Sequence, residues 1–289
     1  MRVRVRVPAS TANLGSGFDA LGMALALHDA IEITVLGDGL RIEVEGQGAG
    51  EVPTDERHLV ARALCAAAEH LRLPLPGVVL RCRNRIPHSR GLGSSAAAVV
   101  GGVLAAYGLA GAEPDAATLQ LAAGFECHAD NAAACLFGGA VIAWREGGSF
   151  HAARFEPHVA LAPVLFVPST TSSTVATRGL LPPQVPHGDA AFAAGRAALA
   201  VHALTTAPEL LLAALDDRLH EPYRRVAYPA TGALVDALRA AGVAAAVSGA
   251  GPTVLALPGN GTVPPGVDTT GFTTHRWDVD RVGAIVHRI

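Results

Sequence analysis

The chain has 289 residues, half of them hydrophobic and 16% charged, with a formal net charge of −3 and a pI near 6.4. This length accommodates two compact domains or one large one, and the apolar content supplies a core and excludes a disordered chain. The mild acidity argues against nucleic-acid binding, which calls for a basic patch or stripe.

In chain order, Val3, Val5 and Val7 alternate with Arg2, Arg4 and Arg6, the pattern of a half-buried strand rather than a basic arm. This start lacks the apolar run of a secretory signal, and no apolar stretch reaches the ~20 residues of a membrane span. Strands are expected at residues 31–36 and 41–45, around Gly37-Asp38-Gly39. Thr54 is a candidate cap for a helix carrying Asp55 and Glu56 in its first turn, where acids suit the helix dipole. Its apolar residues recur from Leu59 to Leu71, before Pro74 and Pro76. A strand over 78–86 follows, then a turn-rich loop from Pro87 and an Ala/Val/Leu helix of roughly fifteen residues. A helix over 115–125, a polar stretch at 126–131, a short apolar helix and a strand through Trp144 complete the first half.

Gly147-Gly148 and Pro157 mark a boundary, dividing the chain into 1–152 and 153–289. The second half reads as a strand over 160–167, helices near 190–205, 209–219 and 231–241, and strands around the turn Gly249-Ala250-Gly251-Pro252. Strands and helices mix without regular alternation, which indicates an α+β fold. Cys65, Cys82, Cys127 and Cys135 form no C-x-x-C pair and read as reduced thiols of a cytoplasmic protein.

The chemistry concentrates in Gly91-Leu92-Gly93-Ser94-Ser95-Ala96-Ala97. Glycines let a backbone approach a ligand, and Ser94 and Ser95 fall where a helix begins, with unpaired N–H groups and the positive end of the dipole. A phosphate fits there. The segment is neither a Walker A loop, which needs a lysine that this chain lacks, nor a G-x-G-x-x-G fingerprint. Plain N-capping by the serines can coexist with binding.

Three separated segments together resemble the GHMP kinases. They are Pro8-Ala-Ser-Thr-Ala-Asn-Leu-Gly-Ser-Gly-Phe-Asp19-Ala-Leu-Gly22, Pro87–Ala97 and Val247-Ser-Gly-Ala-Gly-Pro-Thr253. Within that superfamily the first has the form found in the homoserine kinase subfamily. Glu126-Cys-His-Ala-Asp-Asn131, Ser173-Thr174 with Arg178, and Glu221-Pro-Tyr-Arg224 resemble further segments of the same subfamily, although Cys127 and Ala129 replace its usual glycine and proline. The resemblance implies an N-terminal domain like the second domain of ribosomal protein S5, a ferredoxin-like C-terminal domain and a site between them. It implies ATP and Mg2+, with Ser94 and Glu126 at the metal, and Pro87, Arg90, Gly91, Leu92, Gly93, Ser94, Ser95, Ala96 and Ala97 around the phosphates. Arg57-His58-Leu59-Val60 resembles a segment near adenine, so His58 and Val60 join the nucleotide set, with His58 where asparagine is usual.

For the acceptor the resemblance implies L-homoserine. Arg178 and Arg224 would hold its carboxylate, for which a guanidinium fork is suited, and Asp19 and Asn13 its ammonium, with His128 and Thr174 in the same pocket. Asn131 stands where some members carry a catalytic aspartate, and asparagine cannot take a proton at neutral pH. The implied chemistry therefore has no side-chain base there, and Asp130 reads as structural. Family members are often homodimers, so a homodimer is an expectation. A kinase for another small alcohol, or an inactive ATP-binding sensor, remains an alternative at this point.

Overall fold

The computed structural model describes residues 1–172, 174–259 and 261–289. The alternating N-terminus forms β1 (Arg2–Ala12), with the arginines exposed and the valines buried. It pairs antiparallel with β2 (Leu21–Leu36), which pairs in turn with β4 (Gly77–Asn84). The expected strand after Gly37-Asp38-Gly39 is β3 (Gly39–Gly46). It does not pair with β2 but lies parallel to β4, at the sheet edge. β5 (Ala140–Glu146) pairs with the first residues of β2, Leu21 to Met23, and β6 (Ser149–Phe155) pairs with β5.

The sheet crosses the expected 152/153 division. β6 runs to Phe155, and the last strand, β11 (Ile285–Arg288), returns to pair with β1. The second sheet holds β10 (Phe272–Arg276), β7 (Val164–Pro168), β9 (Val254–Leu257) and β8 (Ala244–Val247) in that order, all antiparallel.

On the first sheet lie α1 (Leu59–His70), α2 (Ser94–Ala110), α3 (Ala116–Gly124) and α4 (Asp130–Phe137). Thr54 does not cap α1; the residue before the helix is His58, and Asp55 instead receives the Arg57 guanidinium. The α3 start follows the sequence reading, with Asp115 and Thr118 completing a reciprocal capping box. α2 is apolar all round, and Ala96, Val99, Val103, Leu104 and Tyr107 are all buried, which makes it the central helix of the core. The opposite sheet face carries ion pairs of Arg2, Arg4, Arg81, Glu32 and Glu43 and needs no covering layer.

The second half adds α5 (Thr174–Arg178), α6 (His187–Thr205), α7 (Leu211–Ala214), α8 (Glu221–Arg224) and α9 (Pro229–Ala240). The helix expected over 209–219 is shorter than its apolar pattern. A 3-10 turn at Pro208–Leu210 leads into α7, and Asp217 then takes the backbone N–H groups of Leu219, His220 and Glu221, which starts α8.

Two features have energetic consequences. A Cβ on Gly102 of α2 would lie 2.5 Å from the Val60 carbonyl oxygen and 2.8 Å from Ala63 Cβ, so the glycine sets the approach of α1 to α2. Asp29, buried in β2, accepts the N–H groups of Arg85 (2.6 Å) and Ile86 (2.9 Å), which fixes the chain as it leaves β4 for the glycine-rich loop. Burial raises its pKa to about 6, against the opposing effect of those hydrogen bonds and of His28.

Gly102→Ala should therefore lower stability by about 1–2 kcal/mol in denaturant unfolding. The overpacking outweighs the ~1 kcal/mol by which alanine favours a helix, and a stabilised variant would contradict this packing. For Asp29 the folded chain holds the proton more tightly than the unfolded one. Its contribution is fully present below the ordinary carboxylate pKa and is lost as pH rises through about 6. Asp29→Asn keeps an acceptor and removes the titration. Its stability relative to the parent should rise by about 3 kcal/mol between pH about 4 and about 8, measured by urea unfolding, and a pH-independent difference would contradict the assignment.

Candidate active site

The glycine-rich loop ends at the start of α2, with Gly91 at φ +74° and Gly93 at φ +69°. Gly91 packs against the turn after β8, where a Cβ would fall 2.1 Å from the Ser248 carbonyl oxygen. Ser248 Oγ donates to the Gly91 carbonyl at 2.6 Å and lies 2.9 Å from Thr11 Oγ1. Gly93 faces the other side, where a Cβ would meet Ser10 Oγ at 2.0 Å. Both close approaches require glycine. No side chain caps α2, and its first intrahelical bond runs from Ala97 N–H to the Gly93 carbonyl, so the amides of Ser94, Ser95 and Ala96 are left for a ligand.

A cleft of about 310 Å³ opens in front of that helix start. Gly91 to Ser95 line one wall, Glu126, His128, Asp130 and Asn131 a second, and Asn13, Asp19, Arg178, Arg224 and Gly249 the remainder. Segments expected from four separated stretches of sequence thus meet around one space.

Glu126 follows α3, and its carboxylate is hydrogen-bonded by Ser95; burial nonetheless raises its pKa, outweighing Ser95 and nearby His128. His128 Nδ1 lies 2.9 Å from Asp130 Oδ1. Burial pulls the His128 pKa down, but the hydrogen bond and charge of Asp130, with Glu126 and Asp19, outweigh it and raise the value. Asp130 Oδ1 also accepts from the Asn131 backbone N–H (2.7 Å) and Nδ2 (3.2 Å), so this carboxylate organises the start of α4. Asn131 Oδ1 accepts from Ser10 Oγ at 2.9 Å.

Asn13 and Asp19 both have left-handed backbone, at φ +69° and +55°. Asn13 Nδ2 donates to the Gly249 carbonyl (2.7 Å) and its Oδ1 accepts the Asp19 N–H (3.0 Å), so its amide holds the turn as well as lining the cleft. Arg178, at the end of α5, grips Asp19 through two hydrogen bonds of 2.7 and 2.8 Å. Arg224 is 1% exposed; its NH1 reaches the Gly249 carbonyl at 3.3 Å and His220 Nδ1 at 3.2 Å, while its buried Nε has no partner. Burial lowers its pKa. Phe18 lies 5.3 Å from the Arg178 guanidinium carbon and 5.4 Å from that of Arg224, and stacks on His220.

Not every expected contact faces this space. The Arg90 guanidinium donates to the carbonyls of Pro168, His88 and Ser169, tying the loop to β7, and Pro87 lies with it on the far side. Their place in the motif says nothing of which way they face. Val60 is 2% exposed in the core between α1 and α2, and Ala96 and Ala97 bury their side chains, so Ala96 can serve only through its backbone. The Thr174 side chain, like Ser173, lies outside the described residues. His58 lines a second cavity of about 230 Å³ with His88, Asp29, Pro53 and Ala98, which meets the helix start at Ser94 and Ser95.

Sequence reading missed Ser10, His220 and Ser248, which hold the site from behind. Ser10 and Ser248 fall inside recognised motifs, which was the signal the sequence offered, and the structure shows both fully buried. His220 carried none.

Two family models match the chain, the GHMP kinases N-terminal domain over residues 58–139 and the GHMP kinases C-terminal domain over 196–263. The chain is 53% identical over 259 residues to homoserine kinase of Streptomyces avermitilis, covering 88% of this chain and 85% of that one. It is 49% identical over 290 residues to homoserine kinase of Streptomyces coelicolor, covering 98% and 94%. Among solved structures, homoserine kinase from Cytophaga hutchinsonii superposes with a TM-score of 0.85 at 26% identity, over 99% of this chain and 97% of that one. With the glycine-rich helix start, the shared cleft and these relatives in agreement, the chain belongs to the GHMP kinase family.

Proposed function

We propose that the chain transfers the γ-phosphoryl group of ATP to the side-chain hydroxyl of L-homoserine, giving ADP and O-phospho-L-homoserine, a step toward threonine. The observation that carries this reading is the single cleft in which an uncapped helix start and Glu126 face Arg224, Asp19 and Arg178. Phosphoryl transfer needs positioning and charge neutralisation more than covalent help, and both are features of such a cleft. The relatives named homoserine kinase support the choice of acceptor.

The triphosphate takes the amides of Ser94, Ser95 and Ala96 and the positive end of α2. Magnesium fits the donors beside them: Glu126 is a half-buried carboxylate whose charged form is penalised by desolvation, and Ser94 adds a hydroxyl. This small oxygen set suits an ion that keeps waters and phosphate oxygens as its other ligands. When bound, the metal neutralises charge on the β- and γ-phosphates.

Homoserine carries both charges, and the acceptor end of the cleft offers both. Arg224, buried with its Nε unpaired, suits the carboxylate, and Arg178 adds a second guanidinium. Asp19 suits the ammonium. Asn13 is already committed to two backbone partners, so its task is to shape the turn that carries Asp19. His128 lines the same wall, its ring oriented by Asp130. With Asp130 Oδ1 accepting three N–H groups and Asn131 unable to take a proton, the hydroxyl oxygen attacks the γ-phosphorus, the bond to the bridging oxygen breaks, and the hydroxyl proton passes to a phosphate oxygen. The setting we propose is the cytoplasm, consistent with four free cysteines.

In a substrate panel with Mg2+ and ATP, L-homoserine should release ADP well above the rate with threonine, mevalonate or galactose. Faster turnover of any of those three would overturn the acceptor. Glu126→Gln, which keeps the shape and removes the charge, should lower kcat by about 10²-fold, the scale of one lost transition-state electrostatic element. Activity near that of the parent would remove Glu126 from the reacting centre.

A further inference from the structure

Arg224 is 1% exposed and its buried Nε has no partner. Among the described residues its hydrogen bonds go only to neutral acceptors, the Gly249 carbonyl and His220 Nδ1. A carboxylate in either place would pair with the guanidinium and compete with an incoming one. A neutral acceptor instead fixes the direction of the group and leaves its charge uncompensated.

His220 is fully buried just before α8, and three contacts fix its ring. Nε2 lies 3.0 Å from the Gly15 carbonyl oxygen, Nδ1 lies 3.2 Å from Arg224 NH1, and the ring stacks on Phe18 at 5.2 Å between centroids. The carbonyl oxygen at Nε2 calls for a proton there, and the N–H donor at Nδ1 calls for a lone pair. One neutral tautomer satisfies both. A second proton, on Nδ1, would set two donors and two positive charges against each other. Asp217 Oδ2 lies 3.7 Å from Nε2, beyond hydrogen-bond reach, and its carboxylate takes the backbone N–H groups of Leu219, His220 and Glu221. Gly15 belongs to the turn between β1 and β2 that carries Asp19, so one imidazole ties Arg224 to the segment bearing the opposite charge of the pocket.

We propose that His220 is a positioning residue for the acceptor's carboxylate, holding the Arg224 guanidinium through Nδ1 in the neutral Nε2–H form. His220 does not line the cleft and acts only through Arg224. The preference for an alcohol that carries a carboxylate over one that lacks it therefore runs through this ring. The step rests on the proposed acceptor being an amino acid.

The test compares L-homoserine with 3-aminopropan-1-ol, which keeps the hydroxyl and the ammonium and has no carboxylate, in steady-state kinetics on the full chain. His220→Phe keeps a ring beside Phe18 and loses the acceptor. It should raise KM for L-homoserine by about tenfold, the scale of one hydrogen bond to a charged group, and leave KM for MgATP within about twofold. His220→Asn places an amide oxygen near the position of Nδ1 and should recover most of that loss, although the Gly15 carbonyl is left without its donor. With 3-aminopropan-1-ol, kcat/KM should be the same in the parent and in His220→Phe; if the parent does not turn it over, its inhibition constant against L-homoserine is compared instead, with the same expectation. A parent-like KM for L-homoserine in His220→Phe, an equal loss with both alcohols, or no recovery in His220→Asn would overturn the positioning role and leave the kinase reading intact. A parent that does not phosphorylate L-homoserine would overturn the acceptor reading itself. If His220→Phe does not fold, long-range proton–nitrogen spectra of the parent decide. A bare Nδ1 whose resonance moves on adding L-homoserine, and not on adding 3-aminopropan-1-ol, supports the assignment; a proton on Nδ1, or the same response to both, overturns it.

Discussion

Three backbones, two of them glycine-rich, meet at the head of α2 with only small hydroxyl side chains between them, and the site depends on that contact. Gly91 lies against the Ser248 carbonyl, Gly249 N–H donates to the Ala12 carbonyl, Thr253 N–H to Arg90, and Ser10 N–H to Leu92. The loop is thereby clamped between the end of β1 and the turn joining β8 to β9, segments from opposite ends of the chain. A methyl group at Gly91 or Gly93 would enter occupied space, so this approach exists only with glycine at both places. The clamp aims the unpaired amides of the helix into the cleft rather than into a neighbouring chain segment.

The charges around the cleft are sorted by the same framework. Glu126 and His128 come from the link between α3 and α4, and Asp130 from the first position of α4; Asp19 comes from the turn between β1 and β2; Arg178 and Arg224 come from short helices of the second half. Burying Arg224 with an unpaired Nε, and Glu126 with a raised pKa, is unfavourable for the fold alone. Such costs are typical of sites shaped for a charged ligand. The acidic link and the basic helices lie on different walls, which suits a triphosphate with its metal on one side and a zwitterion on the other.

The parts of this arrangement legible in the sequence were those with a local cause. Alternation marked β1, helical spacing marked α1, and an unbroken Ala/Val/Leu run after the glycine-rich loop marked α2. The loop at Gly91–Ser95 was legible because glycines and a helix start have a direct physical meaning. Facing was not. Arg90 and Val60 sit inside recognised motifs yet point to β7 and to the core, because neighbouring residues of a loop or helix diverge. The partner of β11 was hidden as well, since two half-buried and two exposed residues carry no sign of where the strand pairs. Asp29 was overlooked for a similar reason: one polar residue within a long strand gives no hint that two backbone amides await it.

The proposed reaction requires the helix start and the guanidiniums to act together. It is tested most directly by a crystal structure with magnesium, a non-hydrolysable ATP analogue and L-homoserine bound together. The γ-phosphorus should lie at the amides of Ser94 and Ser95, the homoserine carboxylate on Arg224, and the hydroxyl oxygen within about 3–3.5 Å of that phosphorus and in line with the bridging oxygen. An amino acid bound away from Arg224, or a hydroxyl turned from the phosphate, would contradict it.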